Sequence, residues 1–152
     1  MLSMATTALQ AGKRICEAGE WKFSNLSVQK ILYIAHMFHL AQDRGPLIQE
    51  HFEAWDYGPV VPELYHKAKT FGSGPVKNVF HSIPDMEPGE EADILVDAVE
   101  GLGSARPGKL IAITHWKKGA WAEYYTPGLR GIIIPNEAIK AEYERRLVEK
   151  KK

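Results

Sequence analysis

The chain has 152 residues, 45% of them hydrophobic and 25% charged, which is the composition of a globular domain and excludes a disordered or fibrous chain. Its 19 lysines and arginines balance 19 aspartates and glutamates, so no net charge draws it to a phosphate backbone and a dedicated nucleic-acid binder is disfavoured. The single cysteine, Cys16, excludes an intramolecular disulfide and a cysteine-based zinc site, and it fits a reducing, cytoplasmic setting.

In chain order, apolar residues Ala8, Leu9, Ile15 and Cys16 predict a helix from about Thr6 to Glu17, stopped by Gly19. Ser24 or Asn25 caps a longer helix from Leu26 to about Asp43, closed by Gly45 and Pro46. That helix is apolar on two sides. Val28, Ile31, Leu32, Ala35 and Phe38 form one stripe and Leu26, Tyr33, Met37 and Leu40 another, which places it at the centre of the fold. Lys30 lies among these stripes, where an ammonium is costly unless a carboxylate or backbone carbonyls receive it.

Leu47 to Trp55 reads as a short strand, and the Gly and Pro of Trp55-Asp56-Tyr57-Gly58-Pro59-Val60-Val61-Pro62 impose a turn before a helix over Glu63 to Phe71, with Leu64, Tyr65 and Ala68 inward. Pro75 to Phe80 reads as another strand. A helix through Ile94, Leu95, Ala98 and Val99 follows, then one from Gly108 to Trp116, a loop with Gly119 and Trp121, and a strand at Ile132-Ile133-Ile134. A final helix is capped by Asn136 and buries Ile139, Tyr143 and Leu147, with a basic tail frayed from about residue 149. Together these elements predict one mainly α domain over residues 1–152, of the α+β kind. Five to six helices surround a central apolar helix, with a small antiparallel sheet.

No apolar run approaches the roughly 18 to 20 residues that cross a bilayer, and Met1 to Gln10 lacks a basic segment followed by an apolar one. A soluble, unexported protein without a membrane partner is expected. His36 and His39 are three apart on one helix face, but zinc needs a third ligand and no His-Glu-x-x-His stands here, so a half-buried pair is expected. His51-Phe52-Glu53 matches half of a zinc deaminase signature without its cysteines, which leaves His51 and Glu53 on one exposed side of a strand. Gly72-Ser73-Gly74, Gly101-Leu102-Gly103 and Gly108-Lys109 lack the spacing of phosphate loops, and no Gly-x-Ser-x-Gly elbow exists. Neither metal nor cofactor is expected, and Cys16 reads as a buried thiol.

The remaining signal is aromatic residues beside turn chemistry: Trp55, Tyr57, Gly58, Pro59 and Tyr65 in one segment, His115, Trp116 and Trp121 in another. Trp and Tyr dominate interface hot spots and also fill cores, so both readings stay open.

Leu26-Ser27-Val28-Gln29-Lys30-Ile31-Leu32-Tyr33-Ile34-Ala35 resembles the Leu-Gln-Lys-Leu-Leu-Tyr helix of Panacea antitoxin domains, also called SocA-like or GepA-like and associated with phages. Glu53-Ala54-Trp55-Asp56-Tyr57-Gly58-Pro59-Val60-Val61-Pro62-Glu63-Leu64-Tyr65 resembles that family's Ala-Trp-x-x-Gly-Pro-Val-x-x-x-Leu-Tyr signature, and Phe71-Gly72 the end of the helix behind it. Thr114-His115 and Trp121 resemble its Thr-His and Pro-Trp positions, with Ala120 in place of the proline.

The resemblance implies a mostly helical, non-enzymatic protein with no catalytic residues. Such a protein neutralises a small cognate toxin encoded beside it through direct contact, and for some members it presents that toxin to a cytoplasmic protease. The candidate partner-binding residues are Trp55, Tyr57, Gly58, Pro59 and Tyr65, then Lys30, His115 and Trp121. The same residues have a structural reading, in which Tyr57-Gly58-Pro59 fixes a tight turn over a core of Trp55 and Tyr65. Two other functions remain open. One is a DNA-binding regulator of its own operon resting on Arg145, Arg146, Lys150, Lys151 and Lys152. The other is a hydrolase using His115, or His36 with His39, beside Glu53 or Asp56.

Overall fold

The computed structural model describes residues 4–151 and is mainly helical, with seven α-helices among the described residues, six of them besides the central one, as expected. The helices are α1 (Ala8–Ala18), α2 (Asn25–Ala41), α3 (Pro62–Ala68), α4 (Glu90–Leu102), α5 (Pro107–Thr114), α6 (Ala120–Tyr124) and α7 (Asn136–Lys150). Strands β1 (Phe52–Trp55), β2 (Gly58–Val60) and β3 (Ile133–Ile134) form one antiparallel sheet in the order β2-β1-β3. Helix α1 starts at a Thr7 capping box: Thr7 accepts from the Gln10 N–H while the Gln10 side chain accepts from the Thr7 N–H. Cys16, in the same helix, is buried, and burial pushes its thiol up to about 12.

Helix α2 is capped by Ser24 and forms the axis of the fold, packed by α1, α3, α4, α5, α7 and the hairpin β1–β2. Its apolar residues Val28, Ile31, Leu32, Tyr33, Ala35, Met37 and Leu40 are buried, and so are its polar ones, Asn25, Gln29, Lys30, His36 and His39. Each buried polar side chain reaches a different neighbour, as burial without a partner would be costly. Asn25 Nδ2 donates to Tyr65 O (3.1 Å) and Lys30 Nζ to Pro59 O (3.1 Å). Gln29 holds both polar groups of Val61, accepting its N–H at 2.9 Å and donating to its carbonyl at 3.4 Å. The His36 ring meets Asn136 Oδ1 (2.9 Å) and the Ile48 N–H (3.4 Å), and His39 Nδ1 meets Gly45 O (2.6 Å). The histidine pair is thus wholly buried, where a half-buried pair was expected.

The Tyr33 hydroxyl donates at 2.7 Å to Glu142, which is fully buried in α7. Glu142 also accepts the Ala120 N–H (2.9 Å) and Arg146 Nε (2.7 Å), so one carboxylate joins α2, the start of α6 and α7. A Cβ on Gly119 would lie 2.9 Å from Glu142 Oε1, which explains a glycine at this junction.

Several expectations are corrected. The loop around Gly119 and Trp121 is a helix, α6, because the Glu142 carboxylate binds its first N–H from 22 residues away. Residues 75–80 are irregular: their apolar pattern marks burial of Val76 and Phe80, and only Pro75 bridges to Ser24. Pro135 takes the cap position of α7, and Asn136, expected there, is the first helical residue with its amide turned to His36. Leu147 is exposed and Phe38 partly so; α7 runs to Lys150, and Lys152, in the tail expected to fray, lies outside the described residues.

Glu142→Ala would leave the Tyr33 hydroxyl, the Ala120 N–H and the Arg146 guanidinium without their shared acceptor. A loss of about 3 to 5 kcal/mol, read by urea denaturation, is expected.

Candidate functional site

The β1–β2 hairpin carries the aromatic signature. Its turn is Asp56-Tyr57, while Gly58 and Pro59, expected to make that turn, belong to β2, with Trp55 opposite Gly58 and Ala54 opposite Pro59. A proline is tolerated here because β2 is an edge strand. Gly58 has a φ of 113°, and a Cβ on it would lie 2.9 Å from Lys30 Nζ and 3.2 Å from His115 Cδ2. Only glycine meets both conditions.

Every residue of the tip is held from behind. Trp121 Nε1 donates to Trp55 O at 2.7 Å, the Tyr125 hydroxyl to Asp56 Oδ1 at 2.5 Å, and the His115 ring hydrogen-bonds the Tyr57 backbone. Lys30 follows at Pro59 and Gln29 at Val61. Behind the tip, His115, Trp121 and Tyr125 form a stacked column, with centroids 3.8 and 4.6 Å apart and interplanar angles of 13° and 17°. Burial lowers the Lys30 ammonium to about 7; burial also lowers His115, against the opposing effect of its bond to Tyr57, and His115 Nε2 is buried without a hydrogen-bond partner.

The expected site residues therefore divide. Lys30, Gly58 and Pro59 are buried in the clamp, and His115 and Trp121 support it. Tyr57 is 68% exposed, and Trp55 and Tyr65 are half-buried, meeting edge to face at 4.8 Å. These three line a groove of about 620 Å³ with His66, Lys69, Glu53, Leu129 and Arg130. Sequence reasoning missed Tyr125, Leu129 and Arg130, which come to the hairpin from some 70 residues away and carry no local signal. Glu53 and Trp55 share the outer face of β1, while Phe52 and Ala54 point into the core.

The histidines and carboxylates of the hydrolase reading have these partners. His115 and His36 bond backbone and amide groups, Asp56 bonds Tyr125, and Glu53 accepts from Trp55 Nε1 at 3.0 Å. No three His, Cys, Asp or Glu side chains converge as a metal site among the described residues, and no helix there is long and apolar enough to cross a membrane. In the basic run, Arg146 pairs with Glu142 and lies over the Trp116 ring, and Arg145 donates to Lys118 O.

Gly58→Ala should destabilise the fold by about 2 kcal/mol in thermal or urea unfolding, through its positive φ and the contact with Lys30. Lys30 binds its proton more weakly folded than unfolded, so its contribution to stability is full above about pH 10.5 and is lost as pH falls towards 7. The urea midpoint of the protein should therefore rise relative to that of Lys30→Met between pH 7 and 10. A constant difference would contradict this.

A family model described as antitoxin SocA-like, Panacea domain, matches residues 28–122, a stretch that contains the α2 clamp, the hairpin and Trp121. Antitoxin SocA of Caulobacter vibrioides (strain NA1000 / CB15N) is 31% identical over 111 residues, covering 64% of this chain and 57% of that protein. The chain thus matches little more than half the length of this relative, and no solved structure matches it. With well over half of its residues matched by the model, the chain belongs to the antitoxin SocA-like, Panacea domain family.

Proposed function

We propose that this chain is the antitoxin of a toxin–antitoxin pair, acting in the cytoplasm and neutralising a small toxin by direct protein contact at the hairpin tip and the groove beside it. One observation supports this reading: Tyr57 stands 68% exposed on a tip whose backbone is held at Trp55, Tyr57 and Pro59 by Trp121, His115 and Lys30, and whose Asp56 carboxylate accepts from Tyr125. A large apolar side chain on an ordered backbone binds without the entropic cost of ordering a loop. Half-buried Trp55 and Tyr65 and exposed Leu129 and Ile133 extend the surface towards the roughly 800 Å² per partner of a stable complex. Family membership supports the antitoxin role, and the relative is itself an antitoxin by name.

The alternatives draw less support. A DNA-binding role would rest on a basic run of which Arg145 and Arg146 are engaged within the fold, and a hydrolase would need a carboxylate on His115 or His36.

Co-expression with the product of the adjacent open reading frame should rescue growth and yield a co-purifying complex. In that complex Tyr57→Ala should weaken binding about tenfold or more at unchanged Tm, since the ring contributes little to the core. Binding equal to that of the unsubstituted chain would remove the hairpin tip from the interface.

A further inference from the structure

The groove is lined by a half-buried carboxylate, Glu53. Glu53 is half-buried on the central strand of the sheet, its backbone paired with Val60 on one side and Ile133 on the other. Its Oε1 accepts from the Trp55 indole at 3.0 Å, and it forms no ion pair among the described residues. The rings of Trp55, Tyr65 and His66 cluster beside it, at centroid separations of 4.8, 5.5 and 6.5 Å. Lys69 and Arg130 also line the groove, but both are exposed, where long side chains turn to water at little cost, and so is Asp56, whose carboxylate accepts from the Tyr125 hydroxyl. The charge that a partner must match is therefore the half-buried one without an ion pair, Glu53.

From this we infer that the groove takes a segment of the toxin that leads with a basic side chain, arginine ahead of lysine, its cation against the Trp55 and Tyr65 rings and paired with the Glu53 carboxylate. A guanidinium suits such a place: it stacks on aromatic rings and donates along a fixed edge to a carboxylate, and the partly desolvated setting strengthens both contacts. The inference rests on the reading of the chain as an antitoxin that binds its toxin directly.

The test is a double-mutant cycle on the complex with the neighbouring gene's product, measured by calorimetry. Glu53→Gln keeps the side chain's shape and an oxygen for the Trp55 indole. It should weaken binding about tenfold or more at unchanged Tm. Among Gln substitutions of the toxin's arginines and lysines, one should cause a similar loss and add nothing further when combined with Glu53→Gln. If Glu53→Gln binds as tightly as the unsubstituted chain while Tyr57→Ala does not, the basic anchor is wrong and the hairpin interface stands. If Glu53→Gln weakens binding but every toxin substitution is additive with it, the anchor is also wrong. If the neighbouring product never binds, the antitoxin reading itself falls.

Discussion

The fold depends on a helix that is buried nearly all round and yet carries six side chains that hydrogen-bond other elements, at Asn25, Gln29, Lys30, Tyr33, His36 and His39. A buried amide, ammonium or imidazole without a partner would cost more than most single packing contacts return, so each of these positions dictates what lies against it. The stripe runs along α2 and takes its partners in order: the end of α3's first turn, the junction after β2, β2 itself, α7, the start of α7 with the segment at Ile48, and the Gly45 carbonyl. Apolar packing alone would let neighbouring helices slide. These bonds set their register.

The two sequence segments that carry the family resemblance are the two halves of one contact. Gln29 and Lys30 come from the first, and the Val61 and Pro59 backbone they grip comes from the second, with Gly58 providing the space that lets the ammonium approach. The signature is thus in large part architectural. What the clamp supports is a short β-turn at which Tyr57 stands exposed. Buried residues hold the backbone while Tyr57, Trp55 and Tyr65 face the groove.

Helix content, the central place of α2, the cap at Ser24 and the strand at Ile133 were legible because they rest on local periodicity and capping chemistry. Lys30 was legible as a problem, since an ammonium among apolar stripes demands a partner, but only the fold names the Pro59 carbonyl. The aromatic signature marked the hairpin segment without showing which of its side chains are buried and which exposed. Gly58 and Pro59 belong to a strand because pairing with β1, a tertiary fact, overrides their turn preference. Helix α6 was hidden for a similar reason, its start being fixed by Glu142, and at residues 75–80 an apolar pattern recorded burial without a ladder partner. The groove's far wall at Leu129 and Arg130 has no signature, because its position follows from the β1–β3 pairing alone.

The state of Cys16 bears on how this surface can be watched. The chain has a single cysteine, 1% exposed, and burial holds its thiol in the protonated, unreactive form at neutral pH. A cysteine introduced in place of Tyr57 would be the one readily alkylated thiol in the molecule, so a fluorophore or spin label could be placed on the hairpin tip with the native sequence otherwise intact. The protein is, in effect, already prepared for single-site spectroscopy.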